Sequence, residues 1–265
     1  MKVMKHLVIL SVIFVFFSST VYADYANSPL HWGFKKGSNE QPADAGKSLD
    51  DMLNRLGAYY KGNPSKKDIY LTFDNGYENG YTSKILDVLK KEKVPAAFFI
   101  TGHYLKSAPD LVKRMAAEGH IIGNHSWHHP DMTKISNERI AEELEMVREG
   151  TEKLTGIKNM VYLRPPRGIF SERTIEVAKQ AGYIHVFWSL AYRDWDVDRQ
   201  KGWQYAYDNI MKQIHPGAIL LIHSISKDNA DALEKAIQDL KKRGYTFKSL
   251  DDLMMSETFE DRMLY

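Results

Sequence analysis

The chain of 265 residues contains no cysteine. That absence removes thiol nucleophiles, disulfides, Cys-ligated zinc and iron–sulfur clusters, and leaves His, Asp, Glu, Arg, Lys and the hydroxyls to carry any chemistry. An excess of one charge is missing too: 36 Lys and Arg stand against 34 Asp and Glu, so there is no electrostatic case for nucleic acid or an anionic membrane as partner. The apolar run from Leu7 to Phe17 is broken by Ser18, Ser19 and Thr20, short of the roughly 20 residues a membrane-spanning helix requires. No fixed-period repeat and no low-complexity tract occurs. The ordinary apolar and charged content excludes a disordered or collagen-like chain.

What is present begins with an address. Lys2 and Lys5 precede the apolar run, and Val21-Tyr22-Ala23 follow it, the three-part layout of a secretory signal peptide over residues 1–23, cleaved near Ala23. Removing it deletes two lysines and no acid, so the exported chain is expected to be neutral and without a membrane span. Residues 24–67 are rich in Gly, Pro, Asn and Lys, with one helical pattern at Leu49, Met52, Leu53 and Leu56. They read as an N-terminal extension packed outside a single domain over 68–265.

From Asp68 onward short apolar runs alternate with amphipathic stretches. Ile69–Phe73, Ala97–Thr101, His120–Gly123, Val161–Leu163, Ile184–Trp188, Ala218–Ile222 and Tyr245–Phe247 read as strands. Ile85, Leu86 and Leu89, then Ile140, Leu144, Val147 and Leu154, then Leu233, Ile237 and Leu240 fall at helical spacing. Strands buried on both faces and separated by helices imply parallel pairing through right-handed crossovers. The class is α/β, and about seven such units favour a barrel over an open sheet.

Reactive residues fall where those strands end. Asp74 follows the first strand, His125 lies two residues past Gly123, Arg164 follows Leu163, Asp194 comes a few residues past Trp188, and His223 follows Ile222. In a barrel the carboxyl ends of the strands converge on the face that carries active sites. Each motif alone has a bland alternative. Asp74-Asn75-Gly76-Tyr77 could be a capped turn. His125 and His129, at i and i+4 of a helical turn, could share one cation or form a surface pair. His128 lies off that face and is expected to pack or hydrogen-bond. Arg164-Pro165-Pro166-Arg167-Gly168 is a stiff frame that could orient an Arg or a backbone N–H, or only a solvated loop. Asp194-Trp195 and Leu221-Ile222-His223 are weak singly. Gly46-Lys47-Ser48 ends like a phosphate-binding loop, but Gln41 stands where its first glycine is required.

Taken together, from about Asp68 to Leu253, these motifs resemble the five motifs of the polysaccharide deacetylases, carbohydrate esterase family 4 with its NodB-type domain. The Asn75 variant, the Arg-Pro-Pro-Arg-Gly loop and the leader His31-Trp32-Gly33-Phe34 resemble the subgroup of spore-cortex N-acetylmuramic acid deacetylases that prepare muramic δ-lactam. The resemblance implies a distorted (β/α) barrel of seven or eight strands. It implies Asp74 as catalytic base, Arg164 as its orienting residue, His223 as general acid and Asp194 as the residue that tunes it. His125 and His129 match the metal-binding imidazoles, and Asn75 occupies the place of a metal-ligating Asp. Trp195 and Leu221 match the lining of the acetyl pocket, the Arg167 N–H matches an oxyanion donor, and Tyr77 joins the substrate-binding residues.

The implied cofactor is a divalent metal (zinc, manganese or cobalt), weakly bound because an amide replaces an anionic ligand. The implied partners are peptidoglycan glycan strands, met in the cell wall or spore-envelope space. Rival expectations are the same chemistry on chitin oligomers or acetylated xylan, and a degenerate barrel that only binds glycans. A zinc peptidase lacks its Glu, because Ser126 stands in that position.

Overall fold

The computed structural model describes residues 25–263. The signal peptide expected over 1–23 lies outside the described residues, as do the last two positions of the domain expected over 68–265. In chain order the strands are β1 (Leu30–His31), β2 (Asp68–Asn75), β3 (Ala96–Ile100), β4 (Ile121–Asn124), β5 (Tyr162–Leu163), β6 (Ile169–Phe170), β7 (Ile184–His185), β8 (Ile219–His223) and β9 (Thr246–Phe247). The helices are α1 (Lys47–Leu56), α2 (Thr82–Glu92), α3 (Gly102–Ser107), α4 (Pro109–Ala117), α5 (Asn137–Thr155), α6 (Glu172–Gln180), α7 (Trp203–Gln213), α8 (Lys227–Lys242) and α9 (Leu250–Met263). Every strand and helix expected from periodicity is there, with ends displaced by a few residues. Among the described residues no helix is long and apolar enough to cross a membrane.

The main sheet runs β7-β5-β4-β3-β2-β8, with β9 also paired to β2, and every pairing in it is parallel. A parallel bridge between Leu190 and Leu220 ties the chain after β7 to β8, and the Leu221 N–H donates to Leu190 O at 2.9 Å. The two ends of the strand order therefore meet, and the curled sheet is the distorted α/β barrel that the sequence implies.

Strand parity decides what the barrel encloses. Leu71 and Phe73 of β2, Phe98 and Ile100 of β3, and Leu220 and Ile222 of β8 pack against the helices. Their neighbours Tyr70, Ala97, Phe99, Tyr162, Val186 and Ile219 form a separate cluster, closed by Leu250 and Leu253 of α9. Two or four residues farther along their strands, the same inward parity reaches Asp74, His125, Arg164 and His223. Gly123, two residues before His125, shares this parity, and a Cβ there would stand 2.6 Å from the Phe99 ring, so the position has no room for a side chain.

Helix ends are set by local chemistry. Ser136 and Ser226 accept from backbone N–H groups at the starts of α5 and α8, Ser171 and Thr174 form a capping box on α6, and Gly156 ends α5 in a left-handed conformation.

The segment before β2 packs on the barrel. Leu53 and Leu56 of α1 join Tyr60, Phe170, Ile175 and Phe187 in one cluster. β1 pairs antiparallel with β6, the Trp32 N–H donates to Gly168 O at 2.8 Å, and Trp32 Nε1 donates to Trp188 O at 3.0 Å. The leader thus clamps the turn at Arg167 and Gly168. Gly168 has φ +65°, and a Cβ there would meet the Trp188 ring at 2.9 Å and Trp32 Cβ at 3.1 Å. Gly168→Ala is expected to cost about 1–3 kcal/mol through backbone strain and displaced indoles; urea denaturation reads the loss, and an unchanged midpoint would show that the turn is not held by this packing.

Candidate active site

Asp74, the last residue but one of β2, has only 7% of its surface exposed. Its Oδ1 accepts from Arg164 Nη1 at 2.9 Å. Arg164, fully buried, also donates to Val186 O at 2.9 Å, Thr72 Oγ1 at 2.8 Å and Phe187 O at 3.1 Å, and its guanidinium lies 4.2 Å from the Phe99 ring centroid. The planar fork is thus satisfied on all sides, as a buried cation must be. Burial pushes the Asp74 carboxyl up, but the Arg164 guanidinium, helped by His223, outweighs it and holds the group below the usual carboxylate range.

His125 and His129 come together with ring centroids 4.9 Å apart, but not through the helical turn expected from their spacing. Residues 125–131 are irregular, and Ser126 and His129 are left-handed at φ 62° and 58°. The loop is held because its polar groups find fixed partners: Ser126 N–H on Asn124 Oδ1 at 2.9 Å, His129 N–H on Ser126 Oγ at 3.0 Å and His128 N–H on Glu143 Oε2 at 2.7 Å. His128 Nδ1 lies 2.7 Å from Glu143 Oε1, which agrees with its expected hydrogen-bonding part.

His125 Nδ1 is 2.8 Å from Arg164 O. A carbonyl only accepts, so Nδ1 carries the hydrogen. Burial lowers the pKa of His125, and burial with the neighbouring His125 lowers that of His129 to about 4. Both rings are therefore neutral near pH 7, and the Nε2 lone pair of His125 points toward Asp74 Oδ2 at 3.6 Å.

His223 ends β8 directly beside Asp74 in the strand register. Its Nδ1 is 2.7 Å from Asp194 Oδ1, and its backbone N–H donates to Asp194 Oδ2 at 2.7 Å. Burial alone would lower its pKa, but Asp194 and then Asp74 outweigh burial and raise it. With Nδ1 engaged, Nε2 is the nitrogen left for a ligand.

Two adjoining cavities open above these groups. One of about 810 Å³ is lined by Asp74, Tyr77, His103, Lys106, His125, Trp127, His129, Trp195 and His223, among others. The second, about 420 Å³, is lined by Asp74, His125, His129, Arg167, Gly168, Trp188, Trp195, Leu221 and His223. Trp195 is half exposed and stands edge-on to His223 at 5.8 Å. Arg167 occupies a left-handed turn at φ 58° within the stiff loop. Arg164 and Asp194 lie behind the walls. Asn75 is fully buried, lines neither cavity and donates to Ser224 Oγ at 2.7 Å, while its Oδ1 has no partner.

The sequence reading missed Thr72, Glu143, Trp188 and Asn229. Glu143 shares a helical stripe with Ile140, Leu144 and Val147, and Asn229 shares one with Ala232, Leu233 and Ala236. A polar residue on an apolar stripe is the signal, since burial obliges it to find a partner.

A parallel α/β barrel with a buried carboxylate–Arg pair, two neutral imidazoles and a carboxylate-backed His at one mouth defines a hydrolase architecture, and the comparisons name the class. The polysaccharide deacetylase family model matches residues 61–186. The chain is 57% identical over 231 residues to the Bacillus subtilis peptidoglycan-N-acetylmuramic acid deacetylase PdaA, covering 87% of this chain and 88% of that one. The solved structure of PdaA, a family 4 carbohydrate esterase, superposes with a TM-score of 0.86 and covers 88% of this chain and 99% of its own. A family 4 carbohydrate esterase from Bacillus anthracis is 54% identical, with a TM-score of 0.76 and coverage of 88% and 100%. An uncharacterized 30.6 kDa protein of Geobacillus stearothermophilus is 65% identical over 95% of both chains.

The chain belongs to the polysaccharide deacetylases of carbohydrate esterase family 4, which act on amide bonds of polysaccharides. These are generally metal-dependent. Among the described residues no three His, Cys, Asp or Glu gather as a metal cluster; the donors that fit a divalent cation are the two neutral imidazoles and the orphaned Asn75 Oδ1.

Arg164→Ala leaves the Asp74 carboxylate buried without its cation and is expected to destabilise the fold by about 3–5 kcal/mol. Equilibrium denaturation at pH 7 checks this, and a loss under 1 kcal/mol would mean the pair is not the anchor described.

Proposed function

We propose that this enzyme hydrolyses the N-acetyl group of N-acetylmuramic acid in peptidoglycan glycan strands, after export, in the cell wall or spore envelope, on the route to cortex muramic δ-lactam. The observation that carries the chemistry is the opposed pair at one cavity: Asp74 pushed toward its anion by buried Arg164, and His223 pushed toward its cation by Asp194. Acid and base work at one pH requires groups displaced in this way. The choice of sugar rests on likeness to PdaA over nearly the whole chain.

Asp74 takes a proton from the attacking water, and Arg164 holds its carboxylate in place without entering the cavity. The Arg167 N–H, set on its rigid left-handed turn, is assigned to the developing oxyanion; a single donor of this kind is worth about 2.7–4 kcal/mol in other enzymes. His223 Nε2 delivers the proton that lets the amine depart. Leu221, Trp188 and Trp195 wall the acetyl group, and Tyr77 stands exposed at the mouth for the sugar. A divalent cation (zinc, manganese or cobalt) on His125, His129 and Asn75 would polarise the water and the carbonyl when bound. A barrel that only binds glycans would have no use for a base and an acid each held in its charged form.

Mass spectrometry of glycan fragments tests the substrate: loss of acetyl from muramic acid and not from glucosamine is expected, and action on chitin oligomers or acetylated xylan alone would refute the assignment. Asp74→Asn is expected to lower acetate release about 10²–10⁴-fold. The pH–rate profile should fall in acid, where Asp74 gains a proton, and in alkali, where His223 loses the one it delivers. Asp194→Asn removes the anion that raises the His223 pKa, so the alkaline limb should move to lower pH with the acid limb in place; an unmoved alkaline limb would count against His223 as the acid. Because the donor set is neutral, calorimetry of the metal-free protein should give weak affinity for zinc, manganese and cobalt, tightening at least about tenfold in Asn75→Asp. Sub-nanomolar binding by the native chain would contradict this.

A further inference from the structure

Behind the His223–Asp194 pair lies a second layer that comes from α8. Asn229, with 1% of its surface exposed, donates through Nδ2 to Asp194 Oδ2 at 2.6 Å and to His223 O at 3.0 Å. Its Oδ1 accepts from the hydroxyl of buried Tyr192, and its backbone N–H donates to the α8 cap Ser226 Oγ at 3.2 Å. We propose that Asn229, locked by Tyr192, is the positioning residue that sets the orientation of the proton-delivering imidazole. The proposal rests on the reading of His223 as general acid.

The geometry admits one arrangement. Asp194 Oδ2 is committed to accepting from the His223 N–H, and an ionised carboxylate has no hydrogen to donate, so the amide must present Nδ2 to it and Oδ1 to Tyr192. With Oδ1 of Asp194 on the ring and Oδ2 held by two N–H groups, rotation of the carboxylate breaks at least one charge-assisted hydrogen bond. The carboxylate plane thereby fixes the imidazole plane, and with it the direction of Nε2 into the cavity. Asn229 also ties together three stretches: the loop bearing Tyr192 and Asp194, the end of β8, and the first turn of α8. The same turn holds that loop a second time, because Asp228 Oδ2 accepts from the N–H groups of Lys201 and Gly202 at 2.7 and 2.8 Å. A helical first turn is a rigid platform for such a support, more so than the loop it braces.

The test compares the full-length enzyme with Asn229→Ala and Tyr192→Phe by steady-state kinetics and by proton NMR of the hydrogen-bonded His223 Nδ1–H, identified as the low-field imidazole resonance missing from His223→Gln. Partners behind metal-ligating histidines are typically worth about 10–100-fold in activity, and the same order is expected for this hydrogen-bonded imidazole. Asn229→Ala is expected to lower kcat by about that factor with KM within twofold, and to move the low-field resonance upfield or broaden it into solvent exchange. Tyr192→Phe should do the same more weakly. An unchanged kcat with an unmoved resonance in Asn229→Ala overturns the proposal. If Asn229→Ala fails to fold, Tyr192→Phe decides on the same two readouts. The resonance needs no substrate, so a native enzyme that released no acetate would sink the functional reading while the Asn229 arrangement was still judged by NMR.

Discussion

The site is organised around one buried cation. Arg164 has no access to water, and an unpaired guanidinium in that position would be prohibitively costly. Its four acceptors come from β2 and from the segment after β7, so the charge is tolerable only when the barrel is closed with those segments in register. The dependence also runs the other way: without Arg164, burial would favour a neutral Asp74, and the carboxylate would be lost to the base role proposed for it. The pair adds little net stability by itself. It makes the charged state of the site and the closure of the fold conditional on each other.

The leader and the stiff loop extend that constraint outward. Pro165 and Pro166 restrict the chain after Arg164, Arg167 takes a left-handed conformation, and Trp32 bonds both to Gly168 and to Trp188. Trp32 stacks on Phe187 at 4.7 Å between centroids, and Phe187 supplies one of the carbonyls that hold Arg164. The extension ahead of the barrel is thus part of the wall of the smaller cavity at one remove, and the turn proposed to bind the oxyanion is braced from both sides.

The Asp74 side and the His223 side of the site are built on different materials. Asp74 and Arg164 are fixed by strand register and by backbone carbonyls. His223 sits on a strand, but its partner Asp194 is on a loop, and that loop is steadied by the N-terminal turn of α8 through Asp228 and Asn229. The imidazole loop is steadied in a similar way by Glu143 from α5. Each irregular connection that carries one of these side chains is met by a buried polar side chain from a helix.

What the sequence by itself determined was whatever repeats locally: short apolar runs for strands, period-three-to-four stripes for helices, and the placement of Asp74, His125, Arg164 and His223 at the carboxyl ends of strands. Those patterns are set by neighbours a few residues away, so they can be read without coordinates. Tertiary structure alone decided that His125 and His129 meet through a left-handed loop and not a helical turn, because the partners holding that loop, Asn124 and Glu143, lie on separate elements. It likewise decided that the Asn75 amide turns to Ser224, 149 positions away in the chain, and that Asn229 and Tyr192 stand behind Asp194. A polar residue on an apolar stripe shows in the sequence that a partner is needed, but periodicity does not say which one; the bond exists only once closure of the barrel has brought donor and acceptor together and shut out the water that would otherwise satisfy both.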